Sequence, residues 1–228
     1  MFYAVKLKIR YLIVLCCVVF CLLLYREAPI IDAVSMKNDE CLIIDPGHGG
    51  IDGGALSFAG DKESDINLAI ALKLAKISDL YGIKYYMIRE DDSFRTDAQS
   101  YNEREDLEHR VSIINSKLNA VLISIHQNCF PTSQPSGAQV LFADNNSSKL
   151  LGNICHNNIV SNLQPTNRRV AEPAPKKLYI TSNAKCPAIL VECGFMSNQG
   201  DIQNLKNEKY QIKLSALLLA SYIQFRNS

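Results

Sequence analysis

Three short runs of unbroken apolar residues, each leading into a side chain able to do chemistry, constrain this chain more than any other feature. CLIID (41–45) leads through Pro46 and Gly47 to His48, AVLISI (120–125) leads to His126, and AILV (188–191) leads to Glu192. Runs this short and this apolar, bounded by turn residues, read as strands buried on both faces, which is the habit of strands in a mostly parallel sheet. Between them lie stretches with helical spacing. Glu63–Leu80 repeats apolar residues at Ile66, Leu68, Ile70, Leu74 and Ile77, and Tyr81-Gly82 ends it. Glu103–Asn115, Ser147–Asn162 and Glu208–Phe225 are further predicted helices, with Lys84–Ile88 and Gly137–Phe142 as further strands. Alternation of this kind predicts an α/β fold, a mostly parallel or mixed central sheet sandwiched by helices. Ligands of such sheets bind at the carboxyl ends of the strands, so His48, His126 and Glu192, at or just past three strand ends, are expected to share one site.

The first residues differ from the rest. Lys6, Lys8 and Arg10 precede an apolar run from Tyr11 to Tyr25. A basic flank before an apolar stretch is the pattern of an export signal, and the poor small-x-small pattern before Ala33 favours an uncleaved anchor. The expected division is a signal peptide or membrane anchor over 1–27, a short stalk over 28–40 and a catalytic domain over 41–228, with the basic flank inside and the domain outside the cytoplasm. A formal net charge of +1 without charge runs argues against a nucleic-acid partner. No C-x-x-C pair exists for a cysteine metal cluster, and the odd set Cys41, Cys129, Cys155, Cys186 and Cys193 is expected to hold free thiols.

Two imidazoles at adjacent strand ends, joined by one carboxylate, would make a zinc site with a position left open for water. Glu63 opens a helix just after the glycine-rich stretch 47–54 and can turn back to the same sheet edge; from spacing alone, an ordinary helix-start charge explains it as well. Glu192 follows a strand too apolar to suit a surface ion pair. It reads as a general base, the other reading being a buried pair with Arg89 or Arg110. His109 and His156 have polar neighbours and are expected at the surface. The glycine stretch lacks G-x-G-x-x-G and G-K-[ST], which disfavours nucleotide binding; its expected use is to bring the backbone close to a metal and a sugar. Asn128 and the basic residues Arg168, Arg169, Lys176 and Lys177 are candidates for contacting an acidic substrate, with a solvated loop the alternative for the last four.

The chain from Cys41 to Phe225 resembles the zinc-dependent N-acetylmuramoyl-L-alanine amidases of the Amidase_3 type. The stretches that carry the likeness are IIDPGHGGIDGGA (43–55), Glu63 in KESDIN, LEHRVSIIN (107–115), SIHQN (124–128) and ILVECGFMSN (189–198). ESDIN, the single-domain layout and the N-terminal apolar segment look most like the CwlD-type germination amidases of spore-forming bacteria. The resemblance implies one Zn2+ ion on His48, Glu63 and His126, catalytic participation by Glu192, and structural roles for Arg110 and Asn115 in anchoring their helix to the sheet. It implies peptidoglycan as substrate, cut between N-acetylmuramic acid and L-alanine on the way to muramic-δ-lactam in spore cortex; the sequence leaves open whether an accessory activator protein is a further partner. The rival expectations are a peptidoglycan-binding scaffold that keeps the fold without turnover and a vegetative cell-wall amidase.

Overall fold

The computed structural model describes residues 40–92 and 101–228, all within one compact unit, Asp39–Ser228. The expected signal or anchor and nearly all of the stalk lie outside the described residues. Among the described residues no helix is long and apolar enough to cross a membrane.

The expected strands, with one more, form one sheet. β1 (Cys41–Pro46), β2 (Tyr85–Met87), β3 (Ala120–Asn128), β4 (Gln139–Phe142), β5 (Glu172–Pro173) and β6 (Ala188–Phe195) lie in the order β2-β1-β3-β6-β4-β5. The β2-β1, β1-β3 and β3-β6 pairs are parallel, β6-β4 is antiparallel and β4-β5 parallel. The sheet is therefore mixed, with its parallel half built from the apolar runs. All six residues of β1 are buried, as a strand covered on both faces requires.

Among the described residues six helices flank it: α1 (Glu63–Leu80), α2 (Glu103–Ser116), α3 (Asn146–Asn162), α4 (Tyr179–Asn183), α5 (Gln199–Leu205) and α6 (Glu208–Arg226). Strand side chains alternate between faces, and the core divides accordingly. Ile43, Ala120, Leu122 and Ala188 face α2 and α4, packing with Val111, Ile114 and Ile180. The other face is covered by α1 and α3, on which α6 packs; Ser215 of α6 donates to the Ile70 carbonyl of α1 at 2.9 Å. Asn102, Asn145, Asn198 and Asn207 cap α2, α3, α5 and α6, each accepting from a backbone N–H of the first turn.

Several elements differ from expectation. β3 and β6 run on past their apolar runs, so His126 and Glu192 lie inside strands and not at their ends. They are in-register neighbours across the β3–β6 ladder. The stretch Leu163–Lys177 contains β5, which the sequence reading did not include among the strands. Because β5 is only two residues long, holds Pro173 and pairs solely with β4, no period-2 pattern announces it. The short helices α4 and α5 were also not anticipated. His156, expected at the surface, is buried at 4% exposure, and its Nε2 hydrogen-bonds the Arg169 carbonyl at 2.6 Å. It shares the inner face of α3 with Gly152, Cys155 and Ile159, and this spacing, not the polarity of its neighbours, decides its position. His109 is half-buried on α2. The five cysteines of the domain are free thiols, Cys129 exposed and Cys41, Cys155 and Cys193 buried.

Candidate metal and catalytic site

Alternation along three adjacent strands sets up the site. Asp45 of β1 is in register with Ser124 of β3, and His126 of β3 with Glu192 of β6. All four point to the α2/α4 face, toward the carboxyl end of the parallel strands. Asp45 and Ser124 are wholly buried and form a polar floor. The Asp45 carboxylate accepts from Arg110 Nη1 at 2.7 Å and from the Ser124 hydroxyl at 2.7 Å. Burial works against the charged form of Asp45, but the Arg110 guanidinium and the Ser124 hydroxyl outweigh it and hold the acid below the usual carboxylate range. Arg110 also binds Asp106 on its own helix and donates to the carbonyls of Pro46 and His48. It thus ties α2 to β1, the anchoring role expected of it. Asn115 is bonded elsewhere, to the Asn183 carbonyl and the Lys185 N–H at the end of α4, so it anchors α2 to the approach to β6.

Beyond β1 the chain turns sharply. His48 takes a left-handed backbone conformation, φ 59°, rare for a residue with a side chain and a mark of local strain. Arg89 braces the turn, donating to the carbonyls of Pro46, Gly47 and Ser64. The loop then folds back so that the Ala55 and Gly53 carbonyls accept the first N–H groups of α1, from Glu63 and Ser64. This places Glu63, 3% exposed, under the two imidazoles. Two glycines make the approach possible. A Cβ on Gly47 would lie 2.1 Å from the His126 ring, and one on Gly54, where φ is +66°, would meet the His48 ring at 2.7 Å and Glu63 Oε2 at 2.8 Å. The glycine stretch does bring the backbone close to the candidate centre.

The three expected ligands converge. Glu63 Oε2 lies 3.3 Å from His48 Nε2, and Glu63 Oε1 lies 3.1 Å from His126 Nδ1. Donor atoms of all three fall within 4.8 Å of one another and could hold a metal ion. The rings meet edge to face, with centroids 5.0 Å apart. Glu63 is fixed by the N–H groups of Ala55 and Gln127 and by the Asn67 amide. Burial works against its charge, but the hydrogen bonds to His126 and His48 prevail and keep its carboxyl well below the usual range. Burial likewise disfavours the His48 imidazolium, yet hydrogen bonds to Asp52 and Glu63 raise it to about 10. Two nitrogens and one carboxylate oxygen, facing inward on a buried acid, fit the His/His/Glu donor set that zinc takes in hydrolytic sites.

Beside this cluster runs a groove of about 230 Å³, lined by His48, His126, Glu192, Leu190, Tyr101 and Tyr179 among others. Glu192 Oε2 is buried there with no hydrogen-bond partner among the described residues. Burial, reinforced by the Glu63 charge and only partly offset by the histidines, pushes the acid up to about 7. Neither arginine considered as a partner figures among the charges acting on it.

The substrate candidates are placed otherwise. Asn128, Arg168 and Arg169 do not line the groove. The Asn128 carbonyl accepts from Met196, Arg168 donates to the Pro165 carbonyl, and the Arg169 guanidinium lies over Phe195, 4.8 Å from the ring centroid. Lys177 does line the groove. Reading the sequence missed Asp52, whose carboxylate meets His48 Nδ1 at 2.7 Å; the available signal was an acid four residues after a histidine within a glycine-rich turn. Tyr101 was missed too, and no local pattern announces it.

Comparison with known proteins agrees with this architecture. The chain is 30% identical over 195 residues to the germination-specific N-acetylmuramoyl-L-alanine amidase of Bacillus subtilis, covering 82% of this chain and 80% of the relative. The CwlD amidase of Clostridioides difficile, solved in complex with the GerS lipoprotein, superposes with a TM-score of 0.76 at 32% identity, over 82% of this chain and 98% of that one. An N-acetylmuramoyl-L-alanine amidase from Clostridium difficile 630 superposes with a TM-score of 0.73 at 30% identity, over 84% and 98%. A family model described as N-acetylmuramoyl-L-alanine amidase matches residues 42–222, and the chain belongs to that family, Amidase_3.

Proposed function

We propose that this amidase cuts the bond between N-acetylmuramic acid and the L-alanine of the peptidoglycan stem peptide with one zinc ion held by His48, Glu63 and His126, and with Glu192 as general base and acid. The observation that carries the reading is the convergence of three donor atoms within 4.8 Å beside a groove that contains the unpartnered Oε2 of Glu192.

When bound, zinc supplies Lewis acidity, which brings a water's ionisation toward neutral pH and polarises a carbonyl. The chain's own residues do the rest. The groove receives the lactyl amide with its carbonyl toward the histidines. Glu192, poised near pH 7, takes a proton from the attacking water and returns it to the departing L-alanine nitrogen, which a base and acid of matched pKa can do in one cycle. Desolvation of its Oε2 keeps both protonation states accessible near neutrality. The Asp45–Arg110–Asp106 ion network beneath holds the strand ends and α2 in place, so that His48, His126 and Glu192 need little rearrangement on binding.

Likeness to the germination-specific and CwlD amidases supports a role in spore cortex, on muramic residues destined for muramic-δ-lactam. The neighbour's complex with a lipoprotein supports an accessory protein as partner here too. The basic and apolar N-terminal residues support export, with action outside the cytoplasm and a membrane tether through residues 1–27. The test is digestion of purified cortex and vegetative wall, read by mass spectrometry. The parent chain releases stem peptides with free L-alanine amino groups. Glu192→Ala retains zinc and releases none; turnover by this variant overturns the assignment of Glu192.

A further inference from the structure

We propose that Asp52 is the positioning residue of this centre, holding the His48 imidazole in the tautomer that offers Nε2 to the metal, and that Tyr101 holds Asp52 in that pose from the groove. This role rests on the zinc reading above.

The geometry is specific. Asp52 Oδ2 lies 2.7 Å from His48 Nδ1. A carboxylate accepts only, so Nδ1 carries a proton, and Nε2, 3.3 Å from Glu63 Oε2, is the nitrogen left facing the centre for the metal. Asp52 is itself held at both oxygens: Gly54 N–H donates to Oδ1 at 3.0 Å, and the Tyr101 hydroxyl donates to Oδ2 at 3.3 Å. The His48 carbonyl accepts from Arg110 Nη2 at 2.7 Å, so backbone and ring are each fixed by a charged partner. This is the outer carboxylate that makes a ligating histidine more basic and fixes its ring. His126 is held differently. Its ring packs against Gly47, and among the described residues its Nε2 makes no hydrogen bond. The two histidines are therefore unequally held, His48 the more strongly oriented. Tyr101 lines the groove and touches Asp52, so whatever fills the groove meets the support of the metal ligand directly.

Zinc affinity of the full chain, measured by chelator competition, and melting of the metal-free chain together test this. Asp52→Asn keeps an oxygen for Gly54 N–H but removes the charge behind His48. The expected result is zinc bound roughly 10- to 100-fold more weakly, with metal-free melting lowered too little to account for it. Tyr101→Phe is expected to weaken zinc in the same direction by less. Two results overturn the role: affinity of Asp52→Asn within about twofold of the parent, or a loss of metal-free stability large enough to account for the weaker binding, which would make Asp52 a brace for the loop. A parent chain that binds no zinc removes the underlying reading, and this role with it; a parent that binds zinc beside an indifferent Asp52→Asn removes this role alone.

Discussion

Replacing Glu192 with Gln should inactivate the enzyme and yet stabilise its metal-free fold. The carboxyl is raised from its ordinary 4.5 to about 7 by burial and by the Glu63 charge. A tenfold change in an ionisation constant is worth about 1.4 kcal/mol, so keeping this group charged at pH 8 costs the fold about 3 kcal/mol. The sign follows from linkage. With a folded pKa above the unfolded one, the native state holds the proton more tightly, and the stability this confers is complete below pH 4.5 and lost as the pH rises through 7. Gln has a similar shape and does not ionise. Denaturant unfolding in the presence of chelator should thus show Glu192→Gln nearly equal to the parent near pH 4.5 and more stable by about 2–3 kcal/mol at pH 8. Turnover should be absent throughout. A gain independent of pH, or no gain at pH 8, would refute the argument that desolvation is what sets this acid near neutrality.

Other substitutions probe the scaffold. Gly47→Ala places a methyl group 2.1 Å from the His126 ring; it should cost about 1–3 kcal/mol of stability by overpacking and displace a metal ligand, detected as weaker zinc retention on dialysis. Asp45→Asn leaves Arg110, 2% exposed, without one of its buried carboxylates and should cost about 3–5 kcal/mol in denaturant unfolding. In the parent, the part of stability that comes from Asp45, whose pKa is lowered in the fold, is present above the carboxylate range and lost as the pH falls through it. Removing zinc with chelator should abolish turnover and lower Tm, and added zinc should restore both, with about 4 kcal/mol of stabilisation at a thousandfold excess over Kd.

Much of this molecule is legible in the sequence because its parallel strands are buried on both faces. CLIID, AVLISI and AILV could hardly be anything else, and their ends pointed at His48, His126 and Glu192. The ends themselves were misjudged for the same reason. Apolar runs stop where the site begins, so the polar residues His126, Gln127 and Asn128, and Glu192 with Gly194, read as loop although they continue the ladder. Glu63 was ambiguous because a first-turn acid needs no ligand role; only the loop that folds back onto α1 places it under the imidazoles. His156 was misplaced by weighing the polarity of its neighbours above the spacing of Cys155 and Ile159. Asp52 carried a local signal, an acid four residues after a histidine, but Tyr101 did not, because it meets Asp52 49 residues away along the chain, a distance no local pattern spans.

The claim on which the account stands is that one metal ion is shared by His48, Glu63 and His126. Anomalous diffraction from crystals of the zinc-loaded protein, recorded on both sides of the zinc absorption edge, tests it most directly. The account predicts a single peak about 2.0–2.2 Å from a nitrogen of each histidine and from a Glu63 oxygen. A peak bound elsewhere, or none between these three side chains, would contradict it.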